Sequence, residues 1–375
     1  MFEKTIAWMD AYLEMGIPGY DIMACKDGKC IFRHFNGYSD RENKIPMNGK
    51  ERYYIYSCSK LITCTALMQL WEKGLFSLDD KLSDYMPEFT EMMVQTEDGL
   101  KKAEKPLLIR HLFEMTAGFS YDLVSPQLMQ AREETQGRCP TRAVMPYLAK
   151  AALLFEPGDH WHYGLCHDVL AALLEVITGQ LFNDYVTENI FKPLGMNDST
   201  FLLPEDQKTQ LAQLYRCNEK TGEILNHNFR NGYIIGTEYA SGGAGCVSTV
   251  EDYMKLLEAL RVGDVILKKE TVELMATNRL TDYQLKTFTL ATHGYGLGVR
   301  CPKDETVTEF GWGGAAGAYH SIDIPNGLSI YYAQSVLLSP NRPLRSRVYN
   351  LILEELTGAS ATAETAVQNA GTLTY

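Results

Sequence analysis

Tyr53-Tyr54-Ile55-Tyr56-Ser57-Cys58-Ser59-Lys60, running directly into Leu61-Ile62-Thr63-Cys64-Thr65-Ala66-Leu67-Met68-Gln69-Leu70-Trp71-Glu72-Lys73-Gly74, is the stretch on which the reading of this chain turns. The aromatic run 53–56 is strand-like. Residues 61–73 are apolar nearly all round, which marks a buried central helix, and Gly74 can end it with a positive φ. Residues three apart lie on one helical face, so Ser57 and Lys60 can touch. The positive end of the helix dipole and an apolar setting both disfavour an ammonium at Lys60, so a neutral amine can activate the Ser57 hydroxyl. Backbone N–H groups at the same helix end can face a developing oxyanion. In the plain structural alternative, Ser57 caps the helix and Lys60 lies on the surface. A buried, unpaired lysine is expensive, and that weighs against it.

Outward from this stretch, residues 3–15 have apolar side chains at helical spacing, stopped by Gly16 and Pro18. A hairpin follows, with strands at 20–25 and 30–35 joined across Lys26-Asp27-Gly28-Lys29. A second hairpin, 318–324 and 328–333, turns at Pro325-Asn326-Gly327. Between them the signals are mostly helical, at 108–115, 142–154, 168–178, 183–190, 249–261 and 269–276. The fold expected is α+β, an antiparallel sheet shared by both chain ends and flanked by helices, with a mostly helical second lobe. That gives one domain over 1–357, with a sheet lobe from about 1–80 and 235–357 and a helical lobe over about 81–234. The small, polar residues 358–375 read as a disordered tail.

The 375 residues hold 47 acidic and 35 basic side chains, a net charge of −12, with 45% hydrophobic and 22% charged residues. This is an ordinary globular composition, and its acidity argues against nucleic acid as a partner. Nine cysteines, none two residues apart, read as free thiols in a reducing compartment. The start, Met1-Phe2-Glu3-Lys4, lacks the basic and apolar pattern of a signal peptide. No segment reaches the ~18 consecutive apolar residues of a bilayer span. The expected location is therefore cytoplasmic, with no membrane partner.

Two further stretches carry chemistry. Residues 156–168 hold His160, His162 and His167 with Asp159 and Asp168, and also Tyr163. A metal site here has no ligand elsewhere tied to it by spacing, so no metal or other cofactor is expected and packed or solvated histidines are the simpler reading. Tyr163 can relay a proton beside a lysine, although most tyrosines only pack. Phe310-Gly311-Trp312-Gly313-Gly314-Ala315-Ala316-Gly317-Ala318 precedes the second hairpin, and its glycines suit either an open strand edge or a bulge. Gly-x-Ser-x-Gly, a Walker loop and a Rossmann glycine fingerprint are all absent.

Taken in order, Ser57-x-x-Lys60, Tyr163 and Trp312-Gly313-Gly314 resemble the serine β-lactamase and penicillin-binding family, in its class C branch with related esterases. Leu108–Gly118, Phe191-Lys192-Pro193-Leu194-Gly195-Met196 and Ser241-Gly242-Gly243-Ala244-Gly245 with Ser248-Thr249-x-x-Asp252 are similar to its connecting motifs, and the resemblance spans about 5–355. It implies that Ser57 is acylated, that Lys60 is the general base and that Tyr163 exchanges protons with attacking and leaving groups. It also implies an oxyanion hole from the backbone N–H groups of Ser57 and Ala315, and substrate contacts from Tyr56, Leu165, Trp312, Gly313 and Gly314.

Leu165 stands where many relatives have the asparagine of Tyr-x-Asn, and Trp312 where many have a cation. Losing both polar handles weakens recognition of acylated, anionic β-lactams. The expectation is a serine hydrolase, foremost a carboxylesterase on small acyl esters. A β-lactamase, D-peptidase, amidase or acyltransferase of the same family and a non-catalytic ligand-binding relative are the alternatives. Oligomeric state is left open.

Overall fold

A computed structural model describes residues 1–358 except 229–230, 289 and 305–306, with no side chain given for Thr209. The tail expected at 358–375 lies, from 359 onward, outside the described residues.

The two terminal hairpins share one sheet, as the sequence suggested. Its strands are β1 (Gly19–Lys26), β2 (Lys29–Asp40), β3 (Ile45–Pro46), β4 (His293–Tyr295), β5 (Arg300–Pro302), β6 (Phe310–Gly313), β7 (Tyr319–Asp323) and β8 (Leu328–Gln334), in the order β4-β5-β6-β7-β8-β1-β2-β3. The ends of the chain join where β1 runs antiparallel to β8, from Tyr20 opposite Gln334 to Lys26 opposite Leu328. Side chains alternate across the pleat. Ile22, Ala24, Ile330 and Tyr332 enter a core shared with helices α1 (Glu3–Glu14) and α5 (Arg347–Thr357), through Tyr12, Val348 and Ile352. Cys25, Tyr331 and Ala333 face the larger core on the other side.

That larger core is organised by α2 (Ser59–Glu72), which buries nearly every side chain between α3 (Cys166–Thr178) and neighbouring segments. Gly74 takes φ +69° just beyond its end, as a helix stop requires. Helix α4 (Val250–Val262) lies on the sheet against β8.

Several local readings shift. The expected strand 53–56 pairs only through Tyr53–Tyr54, against Val247–Ser248, because Tyr56 turns to φ +48°. The helix expected over 142–154 runs Thr141–Leu148, and Leu153 instead bridges to Val94. A further helix, Pro126–Glu134, has only Leu128 and Ala131 buried, too sparse an apolar face for periodicity to show. Strands Tyr215–Cys217 and Ile224–Asn226 join Val336–Leu337 and the sheet-side core, so residues 215–226 pack with the sheet rather than with the helices before 234.

Candidate active site

Ser57 occupies a tight turn, Tyr56–Cys58, that leads into α2. Four contacts hold this turn. Ile55 N–H donates to Cys246 O at 3.0 Å, Cys246 N–H donates to Ser59 Oγ at 3.0 Å, and the Tyr253 hydroxyl of α4 donates to Cys58 O at 2.8 Å. The fourth, Thr63 Oγ1 to Gly242 O at 2.7 Å, runs the 241–246 segment along the start of the helix. Tyr56 is buried and left-handed at φ +48°, a conformation that costs a non-glycine residue about 1–2 kcal/mol and persists only where its surroundings impose it.

Lys60 lies one turn on. Its Nζ is 3.3 Å from Ser57 Oγ and donates to Gly243 O at 2.8 Å. The ammonium is fully desolvated, and burial pulls it from its ordinary 10.5 down to about 7; Asp168 opposes this at a distance, followed by nearby thiols. Among the described residues no carboxylate comes within ion-pair distance of Nζ. Burial raises Asp168 as well, and Tyr239 OH donates to its Oδ1 at 3.0 Å. The Cys58 and Cys166 thiols are pushed up to about 12 and stay neutral. Desolvation therefore wins at Lys60, and an amine near neutrality faces the serine.

Tyr163 places its ring 4.5 Å from Lys60 Nζ, centroid to nitrogen. The ring stacks with Tyr121, at 5.5 Å, and with Trp312, at 5.8 Å, and Trp312 Nε1 donates to the Tyr163 hydroxyl at 3.2 Å. Gly164 permits this placement, since a Cβ there would sit 1.9 Å from Phe119 O. Trp312 is buried on β6. That strand pairs with β5 only at Gly311, so its far half presents an unpaired edge toward the Ser57 turn. A Cβ on Gly314 would lie 2.3 Å from Ile55 O, which fixes how closely the two backbones approach. Gly313 and Ala315 stay partly exposed, Ala315 packs with Tyr233 against the cluster that holds Tyr56, and Tyr233 closes edge-on against both Tyr56 and Tyr121.

Ser57 with Lys60, Tyr163 and the Trp312 segment thus converge from three separate parts of the chain. Leu165 sits deep in the core at the start of α3. The histidines separate. His160 and His162 lie against Phe155, at 5.1 and 6.3 Å, while His167 is fully buried on α3. Among the described residues no three His, Cys, Asp or Glu side chains are gathered to hold a metal ion. Sequence reasoning missed Tyr121, Tyr233 and the carbonyl of Gly243. The Ser241-Gly242-Gly243 motif was a signal for the last; the two tyrosines had none, because packing alone places them.

An antiparallel sheet flanked by helices, with a serine and a desolvated lysine at the head of a buried helix, defines the class of serine β-lactamase and transpeptidase-like folds. The beta-lactamase family matches residues 5–353, and the chain belongs to that family. It is 29% identical over 285 residues to the monacolin J acid methylbutanoyltransferase of Aspergillus terreus, covering 72% of this chain and 68% of that protein. Against esterase EstB of Burkholderia gladioli it is 27% identical over 272 residues, 67% of each. Among solved structures, EstCE1, a hydrolase with promiscuous acyltransferase activity, superposes with a TM-score of 0.78 at 25% identity, covering 93% of this chain and 97% of that one.

Proposed function

We propose that the protein is a serine hydrolase working through an acyl-enzyme on Ser57, with carboxylic esters of small acyl groups as substrates. The observation that carries this is the fully buried amine of Lys60, brought to about 7 and held 3.3 Å from Ser57 Oγ. Lys60 takes the hydroxyl proton as Ser57 Oγ attacks the ester carbonyl. The N–H groups of Ser57 and Ala315 receive the oxyanion, and Tyr163 passes a proton to the departing alkoxide. Water then attacks the acyl group with the same residues acting in reverse. Among the described residues the wall of Tyr56, Tyr121, Tyr163, Tyr233 and Trp312 offers no cation to a substrate carboxylate, which favours neutral esters over anionic β-lactams.

Turnover of p-nitrophenyl butyrate by the protein, abolished in Ser57→Ala, tests the reading, and undiminished activity in that variant overturns it. A fluorophosphonate adduct mapped to Ser57 separates it from a silent ligand-binding relative. A second reading, acyl transfer to an acceptor other than water, draws on the similarity to a protein named as a methylbutanoyltransferase. Alcohols added to the assay distinguish it by the share of ester product over free acid, and nitrocefin tests for β-lactam hydrolysis.

A further inference from the structure

The segment after β6 closes as a turn, with Gly317 N–H donating to Gly314 O at 3.0 Å. In such a turn the N–H of the second residue, here Ala315, takes no part in the closure. Its direction is set instead by the carbonyl of Gly314, because the two groups share one planar trans peptide and point opposite ways. That carbonyl is held by a side chain from far along the chain. Arg345 Nη1 donates to Gly314 O at 3.3 Å and to Ala318 O at 3.4 Å, bridging the two ends of the turn. The residue is buried, 7% exposed, in the loop just before α5. Two backbone bonds complete the frame, Gly314 N–H to Ala318 O at 2.7 Å and Val336 N–H to Ala316 O at 2.8 Å.

We infer that Arg345 is a positioning residue for acyl transfer: its guanidinium grips the Gly314 carbonyl and so aims the Ala315 N–H at the oxyanion formed on Ser57. The inference rests on the reading of Ala315 as an oxyanion donor. A cationic donor on the carbonyl also polarises the shared peptide and strengthens its N–H as a donor. Both bonds leave from one nitrogen, Nη1, so a single cationic group bridges the two carbonyls.

The test compares Arg345→Ala and Arg345→Met with the wild type on p-nitrophenyl butyrate, with urea unfolding to count folded molecules. The expected result is a fall in kcat of about tenfold to a hundredfold, below the loss seen when a direct oxyanion donor is removed, with KM unchanged. Millimolar guanidinium, too dilute to unfold the protein, restores part of kcat in Arg345→Ala. Arg345→Met, which keeps the bulk of the side chain without a donor or a charge, carries the same kcat readout if the alanine variant does not fold. Wild-type kcat in a folded variant overturns the inference, as does a loss that follows the unfolded fraction and does not respond to guanidinium. Ser57→Ala separates the two readings. Turnover surviving there removes the acyl-enzyme itself, whereas an inert Ser57→Ala beside a fully active Arg345→Ala removes only the role of Arg345.

Discussion

Two buried ionisable groups, Glu309 just before β6 and Lys60 on α2, are treated in opposite ways. Just before the strand, Glu309 accepts two bonds from Arg300 Nη2, at 2.8 and 2.6 Å, another contact from His293 Nε2 at 3.1 Å, and a short bond from Ser321. Arg300 also donates to Tyr319 OH at 2.6 Å. Burial would raise Glu309, but the guanidinium and these donors overcome it and hold the carboxyl far below its usual range, while Arg300 is driven up. At the head of α2, Lys60 is equally buried with no carboxylate among the described residues in ion-pair reach, and its charge is what gives way. The same desolvation thus leaves a charged ion pair in one place and an amine that titrates near neutrality in the other. The difference lies in whether an opposite charge sits within hydrogen-bond distance.

Four measurements break or sharpen this contrast. The largest effect falls on Lys60→Met: ester turnover drops by about 10²–10⁴-fold as the base is lost. Its stability at pH 7 should rise in urea titrations, because no amine has to be stripped of water. The sign follows from linkage. Lys60 binds its proton more weakly folded, about 7 against 10.5 unfolded, so wild-type stability climbs with pH between those values, and the variant lacks that slope. Glu309→Gln does the reverse, leaving Arg300 charged and underpaired, and should cost about 3–5 kcal/mol in unfolding free energy. Less than 1 kcal/mol lost there, or a destabilised Lys60→Met, would erase the contrast.

The third measurement is the pH profile of kcat/KM. A base that must be neutral predicts activity that falls about tenfold per unit below a midpoint near 7 and levels off above it. A flat profile between pH 5 and 9 would show that Lys60 is not the titrating group. The smallest effect belongs to Trp312→Phe, which keeps the stack on Tyr163 but removes the Nε1 donor 3.2 Å from its hydroxyl. One neutral hydrogen bond is worth about 1 kcal/mol, or roughly fivefold in kcat.

Much of the site was legible because its parts are local. Ser57 and Lys60 are three residues apart, so helical geometry alone brings them together, and an apolar helix around a lysine already signals a burial cost. The shared sheet followed from two turn-punctuated hairpins. The kink at Tyr56 was not legible: nothing in Tyr53-Tyr54-Ile55-Tyr56 marks a left-handed residue, and it is the contacts with Cys246 and Tyr253 that surround and fix the turn. The helix at Pro126–Glu134 escaped for a different reason, since a mostly solvated helix leaves little apolar period to read. Arg345 lies 288 positions from Ser57 in sequence, by 345 − 57, and carries no motif.

By itself the sequence determined the helix that buries Lys60, the pairing of its two ends into one sheet, and the order of the three segments that meet at Ser57. Those follow from spacing, periodicity and turn chemistry, which act over a few residues. Only the tertiary structure decided the state of the groups. Whether a buried amine or carboxyl keeps its charge depends on what lies within about 3 Å of it: Lys60 has the carbonyl of Gly243, 183 positions along the chain, and Glu309 has Arg300 from the neighbouring strand.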